Sequence, residues 1–154
     1  MFSQTFVEIK GEKAMNNWLK LIGSSDKPIT EHPFYGNYNA EYIGFRKKCM
    51  PGIRMGDHLF LYAPGGSRSI FALVEAMTDP ETDSNYNPIV DGSCRWKLHV
   101  QYLLNVPVAS GVLIDEVNTG HRNLTHSVRQ QSHIKLTPEE YRLAYSKLQA
   151  QLSK

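Results

Sequence analysis

Only two cysteines, Cys49 and Cys94, occur in the chain, and neither belongs to a C-x-x-C pair. That is too few for a disulfide framework, and the expected state is a pair of thiols. No apolar stretch approaches the roughly 20 residues that span a bilayer. The N-terminal MFSQTFVEIKGEK lacks the charged-then-apolar layout of an export signal, so no membrane partner and a cytoplasmic location are expected. A net charge of +2 is too small for gripping nucleic acid by electrostatics alone. Metal spacing is also missing. The six histidines include no H-x-H and no H-E-x-x-H, so no metal and no other cofactor is expected. There is no G-x-S-x-G elbow, no G-x-G-x-x-G, and no Lys-Ser or Lys-Thr pair after the glycines of Pro64-Gly65-Gly66-Ser67-Arg68. A phosphate loop feeds a helix, whereas here Ile70-Phe71-Ala72-Leu73-Val74 follows, a run suited to a strand buried on both faces. With Leu59-Phe60-Leu61-Tyr62 before it, the glycine pair reads as the tip of a hairpin.

A length of 154 residues and 41% hydrophobic content fit one domain, 1–154, with an ordinary core. Gln4 to Ile9 predicts a first strand. Met15, Trp18, Leu19 and Ile22 lie at helical spacing, which predicts a helix from Glu12 to Ile22 stopped by Gly23. Ala40 to Met50 predicts a short helix ended by Pro51-Gly52. Arg95 to Leu103 alternates Trp96, Leu98, Val100 and Tyr102 against polar neighbours, an amphipathic strand in which Trp96, like Trp18, is read as core. Pro107 marks a connector. Thr137-Pro138-Glu139-Glu140 combines an N-cap, a first-turn proline and a capping-box glutamate ahead of Tyr141, Ala144, Tyr145, Leu148 and Leu152. Two polar loops, 24–39 and 78–92, carry Tyr35, Tyr38 and Tyr86 in positions where aromatics either pack the loop or line a site. The elements are α/β in content, more strictly α+β, with helices near both ends. A curled, mainly antiparallel sheet fits them better than a doubly wound parallel one.

Three stretches, taken in order, resemble the EVE domain of the PUA-like superfamily, which also holds the YTH and ASCH domains. They are Met55-Gly56-Asp57-His58-Leu59-Phe60-Leu61-Tyr62, then Ile70 to Asp79-Pro80, then Ser127-Val128-Arg129-Gln130-Gln131-Ser132 leading into Leu136-Thr137-Pro138-Glu139-Glu140-Tyr141. The similarity covers about residues 40 to 148. It departs where relatives carry a Ser-Glu-Pro turn and this chain has Glu8-Ile9-Lys10-Gly11.

The resemblance implies a PUA-like pseudo-β-barrel of mixed, mainly antiparallel strands with flanking helices, acting as a non-catalytic reader of DNA or RNA. A modified base would sit in an aromatic pocket. Tyr35, Tyr38 and Tyr86 are then candidate walls, and Asn37 and Asn39 candidate amides for a base edge. Arg46, Lys47, Arg68 and Arg129 are candidate contacts to the nucleic-acid backbone, although Arg46 and Lys47 also read as a solvated face and Arg129 as a tie between helix and barrel. Such a reader acts alone or beside a separately encoded nuclease. Two alternatives stay open: an ASCH-like ribonuclease using Lys47, Arg68, Tyr62 or His99, and a small-molecule or protein-interaction module on the same scaffold.

Overall fold

The computed structural model describes residues 15–23, 38–64, 68–90 and 93–153. The expected first strand at Gln4 to Ile9, the loop positions Tyr35 and Asn37, and the hairpin-tip glycines Gly65 and Gly66 lie outside the described residues. In chain order the elements are β1 (Asn17–Leu21), β2 (Tyr42–Phe45), β3 (His58–Ala63), β4 (Ser69–Ala76), β5 (Glu81–Thr82), β6 (Trp96–Asn105), β7 (Val112–Leu113), α1 (Leu124–Gln131), β8 (His133–Lys135) and α2 (Pro138–Leu152). Short 3₁₀ turns lie at Val108–Ser110 and Ile114–Glu116.

The strands form one sheet in the order β2-β6-β4-β3-β1-β8, with β5 added beside β6 and β7 beside β4. β1 and β3 are parallel, and every other pairing is antiparallel. The sheet curls until its two ends meet. The ring of Phe45, on β2, stands edge-on to His133, on β8, with centroids 5.2 Å apart. This is a half-barrel, and α2 packs on β4, β6 and β7 while α1 lies against β1 and β8.

The hairpin expectation holds: β3 and β4 pair directly, Leu59 opposite Val74, and both are buried along nearly their whole length. The alternating strand holds as β6, and the capping box as the start of α2. There the Thr137 hydroxyl accepts from the Glu140 N–H at 3.1 Å, and the Glu140 carboxylate accepts from the Thr137 N–H at 2.9 Å. The loop at 78–92 is less irregular than expected, because Glu81–Thr82 pairs with Lys97 and Trp96 of β6.

Two expected helices are strands. Residues 17–21 form β1, sandwiched between β3 and β8, with Trp18, Leu19 and Lys20 all buried. A short strand covered on both faces shows no period-two alternation, so its apolar residues fall at helical spacing by chance. Residues 42–45 form β2, paired to β6 from Tyr42–His99 to Phe45–Trp96. A four-residue strand holds too few side chains to establish a period.

Glycine and aspartate at the entry to β3 have a structural explanation. Gly56 adopts a φ of +93°, a region that favours glycine, and turns the chain into β3. Asp57 is buried, and its carboxylate accepts from the Trp18 indole N–H, the Arg54 N–H and the Asn16 N–H, each at 3.0 Å. A buried carboxylate is tolerable only when donors replace its water. Here they join β1 to the turn before β3.

Candidate functional site

The seam where the sheet ends meet is not a continuous ladder, and a cleft of about 490 Å³ opens along it. β1 and the residues after it contribute Lys20, Leu21, Ile22 and Gly23. Across the gap stand Ile43 and Gly44 of β2, followed by Arg46 and Lys47, with Tyr38, Cys94 and Ser132 completing the lining. Leu21 and Ile22 are held by backbone bonds from their N–H groups to the carbonyls of Ser132 and Tyr62, both 2.8 Å. Tyr38 is fixed from behind: the Asn105 amide donates to its carbonyl at 2.9 Å, and its ring meets Phe71 edge-on at 5.6 Å. Gly44 is needed for close approach, since a Cβ there would overlap Cys94 Sγ.

Charge in the cleft is one-sided. Its described lining holds Lys20, Arg46 and Lys47 and no carboxylate. Arg46 and Lys47 are exposed, whereas Lys20 is 7% exposed, with its amine donating to the Leu21 carbonyl at 2.8 Å and lying 4.9 Å from the centre of the Phe45 ring. Burial pushes the Lys20 amine down to about 8; the Cys94 sulfur acts the other way, and the Arg46 and Lys47 charges depress it further. His133 is brought down to about 4 by burial and by Lys20 and Lys47, so it is a neutral imidazole at pH 7. Burial, aided by Cys94, raises Tyr38, which keeps its phenolic proton.

A second depression of about 590 Å³ lies beside α1 and brings Arg68 and Arg129 together with Asp115, Asn123, Thr125 and His126. The Asn123 side chain caps α1 by accepting from the His126 N–H at 3.0 Å. Arg68, with a φ of 46°, donates to Asp115 at 2.8 Å. The candidate backbone contact is therefore already engaged. Both partners are largely exposed, and a pair of that kind is weak enough for a phosphate to exchange into.

Of the residues nominated from sequence, the structure gathers Tyr38, Arg46 and Lys47 in the cleft and Arg68 and Arg129 on the shelf beside α1. Asn39 is exposed and does not line the cleft. Tyr86 does not line it either, and the Arg95 guanidinium covers its ring at 4.6 Å. Lys20, Cys94 and Ser132 were not nominated. The ribonuclease candidates divide between separate places: Tyr62 is buried at 1% exposure, yet its phenol interacts with Arg68, with Arg129 and Asp115 close by, whereas Lys47 lines the seam cleft and His99, in neither lining, stacks on Tyr42 with centroids 5.1 Å apart. Among the described residues no three His, Cys, Asp or Glu side chains cluster as a metal site, and no helix is long and apolar enough to cross a membrane.

No family model and no curated protein matches the chain by sequence. Solved structures do match. Rpa0253 from Rhodopseudomonas palustris, solved by NMR, aligns over 88% of this chain and 94% of its own at 17% identity and a TM-score of 0.55. A hypothetical protein from Leishmania major aligns over 90% and 98% at 12% identity and a TM-score of 0.57. The Mmi1 YTH domain, solved in complex with RNA, aligns over 90% and 81% at 8% identity and a TM-score of 0.52. The fold is PUA-like. At these identities the likeness is one of architecture, and the PUA-like scaffold implied by the sequence motifs is the scaffold observed.

Proposed function

We propose that this PUA-like chain is a non-catalytic nucleic-acid-binding domain that receives one nucleotide, with a modified base, in the seam cleft. The single observation that carries the reading is the lining itself, which pairs an aromatic ring and apolar strand residues with the exposed cations Arg46 and Lys47 and no carboxylate among the described residues. That composition complements a nucleotide, whose base is flat and partly apolar and whose phosphate is anionic. A volume near 490 Å³ lies within the range of small-molecule sites. In support at the level of fold, the Mmi1 YTH domain was solved with RNA.

Tyr38 is the stacking platform in this reading. Tyr35 and Asn37 are assigned to the wall that precedes it in sequence, Arg46 and Lys47 hold the adjacent phosphates, and Arg68 and Arg129 extend the backbone track. Removing a base from its stack costs a few kcal/mol, and stacking on an aromatic returns about 1–3 kcal/mol per base. A methyl group adds only about 0.8 kcal/mol by burial, so selectivity also needs shape and hydrogen bonds.

The test is binding of labelled single-stranded RNA and DNA, unmodified and methylated or hydroxymethylated, at several salt concentrations, with and without divalent metal. Tyr38→Ala is expected to weaken the modified oligonucleotide more than the unmodified one, and Lys47→Ala to weaken all sequences alike with a shallower salt slope. Equal losses from Tyr38→Ala on both would remove base reading from Tyr38. Reproducible cleavage abolished by one substitution would replace the reader with a nuclease.

A further inference from the structure

Lys20 is an unusual residue to find in the middle of a sheet. Its neighbours Leu19 and Leu21 are apolar, it lies on β1 between β3 and β8, and its ammonium has no carboxylate partner among the described ion pairs. Structural lysines either run their amine out to water or meet an acid. Among the described residues this one is 7% exposed and meets no carboxylate. Its described partners are the Leu21 carbonyl, the face of Phe45 and the Cys94 sulfur, and it lines the cleft. Phosphate recognition gains little from a hidden amine, and the exposed Arg46 and Lys47 already serve that purpose at the same opening.

We propose that Lys20 captures an aldehyde carried by a nucleotide in the cleft, forming an imine through Nζ. The proposal rests on the nucleic-acid reading for its carrier: the open-chain sugar of a baseless site and a formyl group on a base present the same electrophile. The Nζ lone pair attacks the aldehyde carbon, the carbonyl oxygen takes up the proton that nitrogen gives up, and the carbinolamine loses one water to leave C=N. No oxidant or reductant is consumed.

The electrostatic surroundings support the geometry. Arg46, Lys47, His133, Tyr38 and Cys94 are the titratable groups around the amine, and its net environment leaves about one molecule in ten unprotonated at pH 7. An ordinary lysine has about four in ten thousand.

Oligonucleotides bearing a baseless site, a 5-formyl base or neither are incubated with the protein and cyanoborohydride, resolved on denaturing gels and mapped by mass spectrometry. An adduct on Lys20 is expected, and the preferred arm identifies the aldehyde's source. Lys20→Arg is expected to lower that yield at least about tenfold while the unmodified oligonucleotide still binds, because arginine keeps the charge and removes the nucleophile. Lys20→Met, checked by thermal unfolding, gives the same loss if the arginine variant fails to fold. Binding of the unmodified oligonucleotide without a Lys20 adduct, or equal yield from wild type and Lys20→Arg, overturns the proposal alone. Absence of any binding overturns the nucleic-acid reading, and the choice of carrier with it.

Discussion

Replacing Asp57 with alanine removes the acceptor of three N–H groups at once: the Trp18 indole and the backbone amides of Asn16 and Arg54. The indole bond is buried and the other two partly buried. A buried donor left without a partner costs about 1–3 kcal/mol. Water can reach part of the two amides, and about 0.5–1 kcal/mol each is a reasonable share. The sum is a loss of about 2–5 kcal/mol, which for a chain of this length lowers the melting temperature by about 4–20 °C. Chemical denaturation followed by tryptophan fluorescence measures it, and a double-mutant cycle with Trp18→Phe isolates the indole bond, expected at about 1–2 kcal/mol. A loss below about 0.5 kcal/mol would refute the view that the Gly56-Asp57 step is an architectural joint between β1 and β3.

Glu140 is buried; that burial tends to raise its pKa, but Arg122 and the Thr137 N–H bind the carboxylate and hold it below the ordinary glutamate range. A depressed folded pKa gives stability that is present above the unfolded value and lost as pH falls through the folded one. Glu140→Gln is therefore expected to destabilise the protein at pH 7 and to flatten its acid unfolding profile; an unchanged profile would dismiss this linkage. Gly44→Ala is expected to cost about 1–3 kcal/mol through overlap with Cys94 Sγ, with part of the loss recovered in Gly44→Ala/Cys94→Ala. No recovery would locate the strain elsewhere. Arg68→Ala is expected to change thermal stability by less than about 0.5 kcal/mol, since its pair with Asp115 is exposed, while lowering oligonucleotide affinity at low salt. An affinity unchanged at low salt would take Arg68 off the backbone track.

What sequence could and could not reveal follows from where each signal resides. The β3–β4 hairpin, the alternation of β6 and the capping box of α2 are local patterns, and they were legible. β1 and β2 were not, because one is short and buried on both faces and the other has four residues; pairing partners far along the chain decide their state. That misreading also hid Lys20. On a helix it would occupy the polar face and draw no notice, whereas on a buried strand a lysine between two leucines is anomalous. Tyr38, Arg46 and Lys47 were reached through composition and family resemblance, but their meeting with β1 depends on the sheet curling until β2 faces β8, a contact no short window contains. Asp57 was noticed as part of a motif, and only its three donors show that its work is structural.

The central claim is that nucleic acid enters the seam between the two ends of the sheet. Amide chemical-shift mapping of the labelled protein during titration with a short single-stranded oligonucleotide tests it most directly. Saturable shifts centred on Tyr38, Gly44, Arg46, Lys47 and Ser132, with a weaker set around Arg68 and Arg129, are the predicted result. Shifts confined to residues outside both sets, or no shifts at low salt, would contradict it.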